Sequence, residues 1–172
     1  MALRKIITVG NPTLNKTCRP VTSFDERLAT LIDDMKETLI QANGVGLAAP
    51  QVSVLRRVVV VDIGDEIIEL VNPRILEQSG EQDGLEGCLS VPGQYGQVKR
   101  PNYVKLEAQD RNGDWYEYEG EELIARCFCH ELEHLDGHLY TEKAYHMLTE
   151  EEYEALMHAD EEEAEEQAED QA

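Results

Sequence analysis

Basic residues are scarce in this chain. Its 172 residues include 15 Lys and Arg against 36 Asp and Glu, a formal net charge of −21. No stretch carries the Lys/Arg-rich footprint of a nucleic-acid binder. Long apolar runs are missing too; none approaches the roughly 20 residues that a membrane-spanning helix needs. The first ten residues hold Arg4 and Lys5 but no extended apolar segment and no cleavage site, so no secretory signal is read there. Cysteines number only four and are unevenly placed, and in a chain read as cytosolic they suggest thiols rather than a disulfide framework. No internal repeat is found. These absences argue against DNA binding and membrane insertion, and they set the cytoplasm as the expected location.

Acidic charge is plentiful but concentrated. Twelve acidic residues and no Lys or Arg lie between Glu150 and Asp170, and without them the net charge falls to −9. The expected organisation is therefore a single domain over residues 1–148 and an acidic helix or disordered tail over 149–172. Thr149 and Glu152 form a capping box for the tail, and Tyr153, Leu156 and Met157 form its one apolar stripe.

The domain reads as α+β. Ile7 to Val21, with Pro12, Pro20 and Gly10, predicts an extended arm. Ser23 and Glu26 form a capping box before a helix that puts Leu28, Leu31, Ile32, Met35 and Leu39 on one face. Asn43-Gly44 stops that helix. Gly44 to Gln51 reads as a close-packed turn whose small residues let backbone approach closely. Arg57–Ile63 and Ile67–Val71 read as a hairpin around Gly64-Asp65, ended by Asn72-Pro73. A second hairpin turns at Asn112-Gly113. A long helix is expected over Glu121–Leu135. The whole predicts small mixed or antiparallel sheets packed around that helix, with the other helix N-terminal to them.

The long helix carries the chemistry. His130-Glu131-Leu132-Glu133-His134 is an H-E-x-x-H pattern. Residues four apart share a helical face, so His130 and His134 can offer two imidazoles to one ion, with Glu131 placed to handle a water proton. The pattern also arises by chance in Glu-rich helices, so a third ligand is needed. Cys127 lies seven residues from His134, a rise of about 10.5 Å, too far for bonds of about 2.0–2.3 Å. The spacing that would continue to a third histidine falls on Tyr140. A downstream glutamate such as Glu151, Glu152 or Glu154 would make a zinc endopeptidase. Cys129 as a further ligand would make a closed, structural site. Cys88, in Glu86-Gly87-Cys88-Leu89-Ser90-Val91-Pro92, is a buried plug or a thiolate ligand.

Three segments in order, G-V-G-L-A-A-P-Q, E-G-C-L-S-V-P and C-H-E-L-E-H-L-D-G, resemble the signature segments of the peptide deformylases. The resemblance extends to about Tyr140. It implies an enzyme that removes the formyl group from the N-terminal methionine of new polypeptides and releases formate. It implies one divalent metal held by Cys88, His130 and His134, with Fe²⁺ expected in the cell and Zn²⁺, Ni²⁺ or Co²⁺ as substitutes. Glu131 is implied as the catalytic acid–base, and Gln51 and the Leu89 backbone N–H as donors to the oxyanion. Val45, Leu123 and Cys127 are implied as the methionine pocket, with Gly46 pairing to the peptide backbone. Arg126 and Arg100 lie close to these positions, and their stems are expected to wall the pocket while their charged ends reach solvent. The partners are formylmethionyl nascent chains. Proximity to the ribosome is expected not to use the acidic tail, which rRNA phosphate would repel. Two residues depart from the family pattern: Cys129 stands where Gln is usual, and Glu133 where Asp is usual.

Overall fold

The computed structural model describes residues 2–171. Helix α1 spans Glu26–Ala42, α2 spans Leu123–Leu135 and α3 spans Glu150–Asp170. The strands are β1 (Gly46–Ala48), β2 (Val58–Asp62), β3 (Ile67–Ser79), β4 (Gln82–Cys88), β5 (Val91–Arg100), β6 (Tyr103–Gln109), β7 (Trp115–Glu121) and β8 (His146–Met147). They form an antiparallel five-stranded sheet in the order β1-β2-β3-β6-β7 and a three-stranded sheet in the order β4-β5-β8. The fold is α+β, as the sequence predicts.

The unbroken valine run of β2 explains the layering. Val58 and Val60 pack with Leu28, Leu31, Ile32, Met35 and Leu39 of α1. Val59 and Val61 point the other way, onto Ala125, Cys127 and Phe128 of α2. Alternating side chains therefore bury both faces of one strand, each Val contributing about 1.5–3 kcal/mol. Helix α2 thus lies against the sheet face opposite α1. The second sheet meets α2 where Arg126 Nη1 donates to Val98 O at 3.0 Å, and Val91 and Val98 form a small core with Tyr140, whose ring stacks on His130.

The N-terminal arm laces the three signature segments together. Ile7 N donates to Gln51 O at 2.8 Å, Val9 N to Ser90 O at 2.8 Å, and Cys18 N to Leu135 O at 2.8 Å. Gly137 makes the last of these approaches possible. Its φ is +81°, and a Cβ there would sit 2.6 Å from the backbone of Asn15.

Several local expectations shift. The cap of α1 is Asp25, whose Oδ1 accepts from Leu28 N at 3.1 Å, and not Ser23. Phe24 stays outside the helix and packs onto the α1 cluster instead. Gly46–Ala48 is an edge strand rather than a turn, followed by a 3₁₀ turn over Ala49–Val52. Asn72-Pro73 does not end β3. The strand passes through a register shift there, with Asn72 at φ 51°, and continues to Ser79. The Asn72 side chain accepts from Val21 N at 2.8 Å and donates to Val21 O at 2.9 Å, which ties the irregularity to the arm. Helix α2 starts at Leu123, two residues later than predicted, because Glu122 adopts φ 54°. Among the described residues the acidic tail is one continuous helix, α3, with no buried residue, the solvated alternative of the two expected for it.

One ion network clamps α1 to the five-stranded sheet. The Glu69 carboxylate on β3 accepts from Arg111 N at 2.8 Å, from Arg111 Nη2 at 3.0 Å and from Lys36 Nζ at 3.0 Å. Arg111 Nη2 also reaches Asp33 at 2.9 Å. Burial opposes ionisation of Glu69, but the bonds from Arg111 and Lys36 win and hold its pKa below the usual value. Because the folded pKa is lowered, this stabilisation is complete above the unfolded pKa of about 4.3 and is lost as pH falls through the folded value. Glu69→Gln is therefore expected to lower unfolding free energy by about 1–3 kcal/mol at pH 7. In urea titrations the gap to the parent should close in acid; a gap of the same size at pH 3 would rule the network out as its source.

Candidate metal centre

Helix α2 places His130 and His134 toward Cys88 and packs Glu131 against Gly46 of β1, and all three are buried. Cys88 comes from the tight β4–β5 connection, where the register shifts between Glu86 and Cys88. His134 Nε2 lies 3.4 Å from Cys88 Sγ and 3.2 Å from His130 Nε2. Among the described residues, Cys88, His130 and His134 are the group whose ligand atoms converge on one point, all within 4.8 Å of one another. One thiol and two imidazoles suit a tetrahedral divalent ion and leave a coordination position free for reactants. Burial drives the His134 pKa down to about 3, so its ring is neutral, as a ligand must be. Burial also opposes protonation of His130, yet hydrogen bonding to Cys88 and Glu86 and the Glu131 charge hold its pKa well above the usual value. The negative groups gathered here favour a cation. The residues present fit a divalent metal.

Gln51 stands against the thiol. It is buried, its Oε1 accepts from Ala48 N at 2.9 Å, and its Nε2 donates to Ser90 Oγ at 3.0 Å and to Cys88 Sγ at 3.6 Å. The side-chain amide is thereby held in one orientation, with its N–H₂ directed toward the centre. Glu131 Oε1 lies 3.9 Å from His130 Nε2, and its buried Oε2 has no hydrogen-bond partner among the described residues. Burial pushes the Glu131 carboxyl up to about 7; His130 opposes this and Glu86 adds to it. Gly46 is what lets β1 pass so near. A Cβ there would lie 2.7 Å from Cys127 Sγ and 2.8 Å from Glu131 Cγ.

The residue that sequence reasoning missed is Glu86. Its carboxylate lies 2.7 Å from His130 Nδ1 and accepts from Arg100 Nε at 3.0 Å, Arg100 Nη2 at 2.8 Å and Arg126 Nη1 at 3.0 Å. It orients the imidazole through the nitrogen that faces away from Cys88. Burial opposes its ionisation, but His130 and Arg100 bring its pKa down to about 2. A signal existed: Glu86 is two residues before Cys88, and residues two apart on a strand share a face.

Glu86 also explains why the arginine expectation fails. Neither charged end reaches solvent. The Arg100 side chain is 1% exposed and bridges Glu86 to Glu133, with Nη1 2.6 Å from Glu133 Oε1. Arg100 therefore lies behind the ligands and not in the cleft. Arg126 does line the cleft, but its guanidinium is buried and donates to Glu86 and to Val98 O at 3.0 Å. The two unusual residues, Cys129 and Glu133, both face a separate cavity on the Arg100 side. Cys129 is thus no ligand. The tail glutamates do not join this group: Glu152 Oε2 lies 2.8 Å from His146 Nε2, and Glu151 and Glu154 are exposed.

A cleft of about 440 Å³ opens onto the centre. Val45, Gly46, Leu89, Leu123, Cys127 and Glu131 line it, together with Cys88 and His130. Leu123 is 59% exposed and stands at the rim. Burial raises the Cys127 thiol well above its usual pKa, so it acts as an apolar wall.

The family model for polypeptide deformylase matches residues 3–150. The peptide deformylase of Agathobacter rectalis is 61% identical over 143 residues, covering 83% of this chain and 90% of that protein. That of Acetivibrio thermocellus is 54% identical over 154 residues, covering 90% and 91%. Among solved structures, the peptide deformylase of Legionella pneumophila superposes with a TM-score of 0.81 at 41% identity, covering 97% of this chain and 98% of that one. The Thermotoga maritima enzyme gives 0.81 at 39% identity, covering 84% and 99%. With its signature segments folded around one Cys/His₂ centre and similarity along nearly its whole length, the chain belongs to the peptide deformylase family.

Proposed function

We propose that the protein removes the N-formyl group from the N-terminal methionine of newly made polypeptides and releases formate. The observation that carries this reading is the convergence of Cys88, His130 and His134 beside Glu131 and Gln51 at the inner end of the cleft. Cys88, His130 and His134 would hold one divalent metal, Fe²⁺ in the cell, with Zn²⁺, Ni²⁺ or Co²⁺ able to replace it. Such an ion, when bound, supplies Lewis acidity that polarises oxygen and makes water acidic enough to ionise near neutral pH.

The chain's own residues do the rest. Glu131 takes the proton of the attacking water and passes it to the leaving amine as the formyl C–N bond breaks. Gln51 Nε2 and the Leu89 backbone N–H donate to the oxyanion of the tetrahedral intermediate, and one such donor is typically worth about 2.7–4 kcal/mol. The fixed amide of Gln51 supports this role, because its orientation is set before substrate arrives. Strand β1 ends the five-stranded sheet, so Gly46 can pair its free backbone edge with an extended peptide. Val45, Leu123 and Cys127 receive the methionine side chain, and the buried Arg126 supports the pocket floor.

The catalytic unit is residues 1–148, acting in the cytoplasm on nascent chains. Any contact with the ribosome avoids the acidic helix α3, which rRNA phosphate repels. The test is formate release from formyl-Met-Ala-Ser by protein stripped of metal and reloaded anaerobically with Fe²⁺, Ni²⁺ or Zn²⁺. Turnover is expected in the loaded forms and none after chelation. Absence of formate with every metal would overturn the reading.

A further inference from the structure

Tyr153 stands in the first turn of α3, just past the residues that the family model matches. Its ring stacks on that of Tyr95, with centroids 5.7 Å apart and planes 20° from parallel. Both rings line the cleft that leads to Cys88. The acidic helix therefore contributes one aromatic residue to the mouth of the reaction site.

That placement is built into the backbone. Strand β8 pairs with β5 through Gly96 and Met147, and Leu148 N donates to Tyr95 O at 2.9 Å. A Cβ on Gly96 would sit 2.6 Å from the Met147 sulfur, so glycine permits this close pairing. Thr149 then caps α3, its Oγ1 accepting from Glu152 N at 3.2 Å. The chain leading into Tyr153 is thus fixed to the strand that carries Tyr95. Tyr153, Leu156 and Met157 are half-buried, and from His158 onward α3 is exposed. The helix is anchored at the end that meets the cleft.

We propose that Tyr153 is a specificity-determining residue. With Tyr95 it forms an aromatic wall that receives an apolar side chain downstream of the formylmethionine. The inference rests on the deformylase reading and extends the peptide site beyond residue 148. A wall remote from the reacting carbon contributes equally to ground and transition states, so its loss raises KM and spares kcat. Only peptides long enough to reach it are affected. Loss of one aromatic contact corresponds to roughly 3–10-fold in affinity.

The experiment compares metal-loaded full-length protein with Tyr153→Ala and Tyr153→Phe. The substrates are formyl-Met-Ala and the longer formyl-Met-Ala-X and formyl-Met-Ala-Ala-X, with X as Phe, Leu or Ser. Tyr153→Ala should raise KM about 3–10-fold for the longer peptides ending in Phe or Leu, with kcat and the KM for formyl-Met-Ala unchanged. Tyr153→Phe keeps the ring and should restore the parent KM. An unchanged KM across the series in Tyr153→Ala, or the same rise for formyl-Met-Ala, would overturn the proposal. Calorimetric binding of the products Met-Ala-Phe and Met-Ala-Ala-Phe gives a second readout that needs no turnover. If the parent released no formate from any substrate, the deformylase reading would fail, whereas equal product affinities in parent and Tyr153→Ala would sink the wall alone.

Discussion

Glu131→Gln is expected to lower kcat by about 10²–10⁴-fold, the usual contribution of a positioned acid–base, while the protein keeps its metal. The substitution is nearly isosteric. The close packing against Gly46, where Glu131 Cγ leaves no room for a Cβ, is therefore preserved. What changes is proton capacity, since an amide can neither take a proton from water nor return one to the amine. Metal retention follows because the converging donors come from Cys88, His130 and His134. The measurement is formate release alongside metal content of the same preparation. Full turnover would remove Glu131 from the mechanism, and loss of metal would make it a ligand.

How much of this centre was legible depended on whether each residue's partners were local. His130, Glu131 and His134 are set by helical periodicity alone, so their shared face could be read from spacing. Cys88 is one of several open candidates on local grounds, because nothing local to β4 says where its thiol points; only the order of the three segments singles it out. The burial of the two arginines is hidden from the sequence for a related reason. A guanidinium is assigned to solvent by default, and only the approach of β4 and β5 to α2 shows that Glu86 makes burial of Arg100 and Arg126 affordable. The fold was legible in the same graded way. The valine run of β2 signals a strand, while its burial on both faces appears only in the packing, and Asn43 stops α1 where expected. Asn72-Pro73 reads as an ordinary terminator of β3, but the bonds between Asn72 and Val21 hold a register shift that carries the strand through. Tyr153 was visible only as part of an apolar stripe in an acidic tail, since its partner Tyr95 lies on another element.

Glu86→Ala is expected to damage both metal binding and the fold. Glu86 is the partner of His130 Nδ1 at 2.7 Å, and removing such a partner typically costs about 10–100-fold in metal affinity. The same carboxylate neutralises two guanidinium groups whose side chains are 1% and 7% exposed. Without it, Arg126 keeps the Val98 carbonyl but no carboxylate, and Arg100 keeps Glu133, which Lys143 also engages. Leaving buried charge uncompensated in this way costs about 3–5 kcal/mol. The two losses are separable. Glu86→Gln retains an oxygen that can accept from one arginine, and it should recover part of the stability while metal affinity stays low. Pairing Glu86→Ala with Arg100→Met and Arg126→Met removes the stranded charges as well, so it should regain stability without restoring affinity. Unfolding in urea reads the first quantity, and competition with a chromophoric chelator reads the second. If metal affinity were unchanged in the Ala variant, His130 would owe its orientation to the stacked Tyr140 ring, 5.7 Å away, and not to the carboxylate.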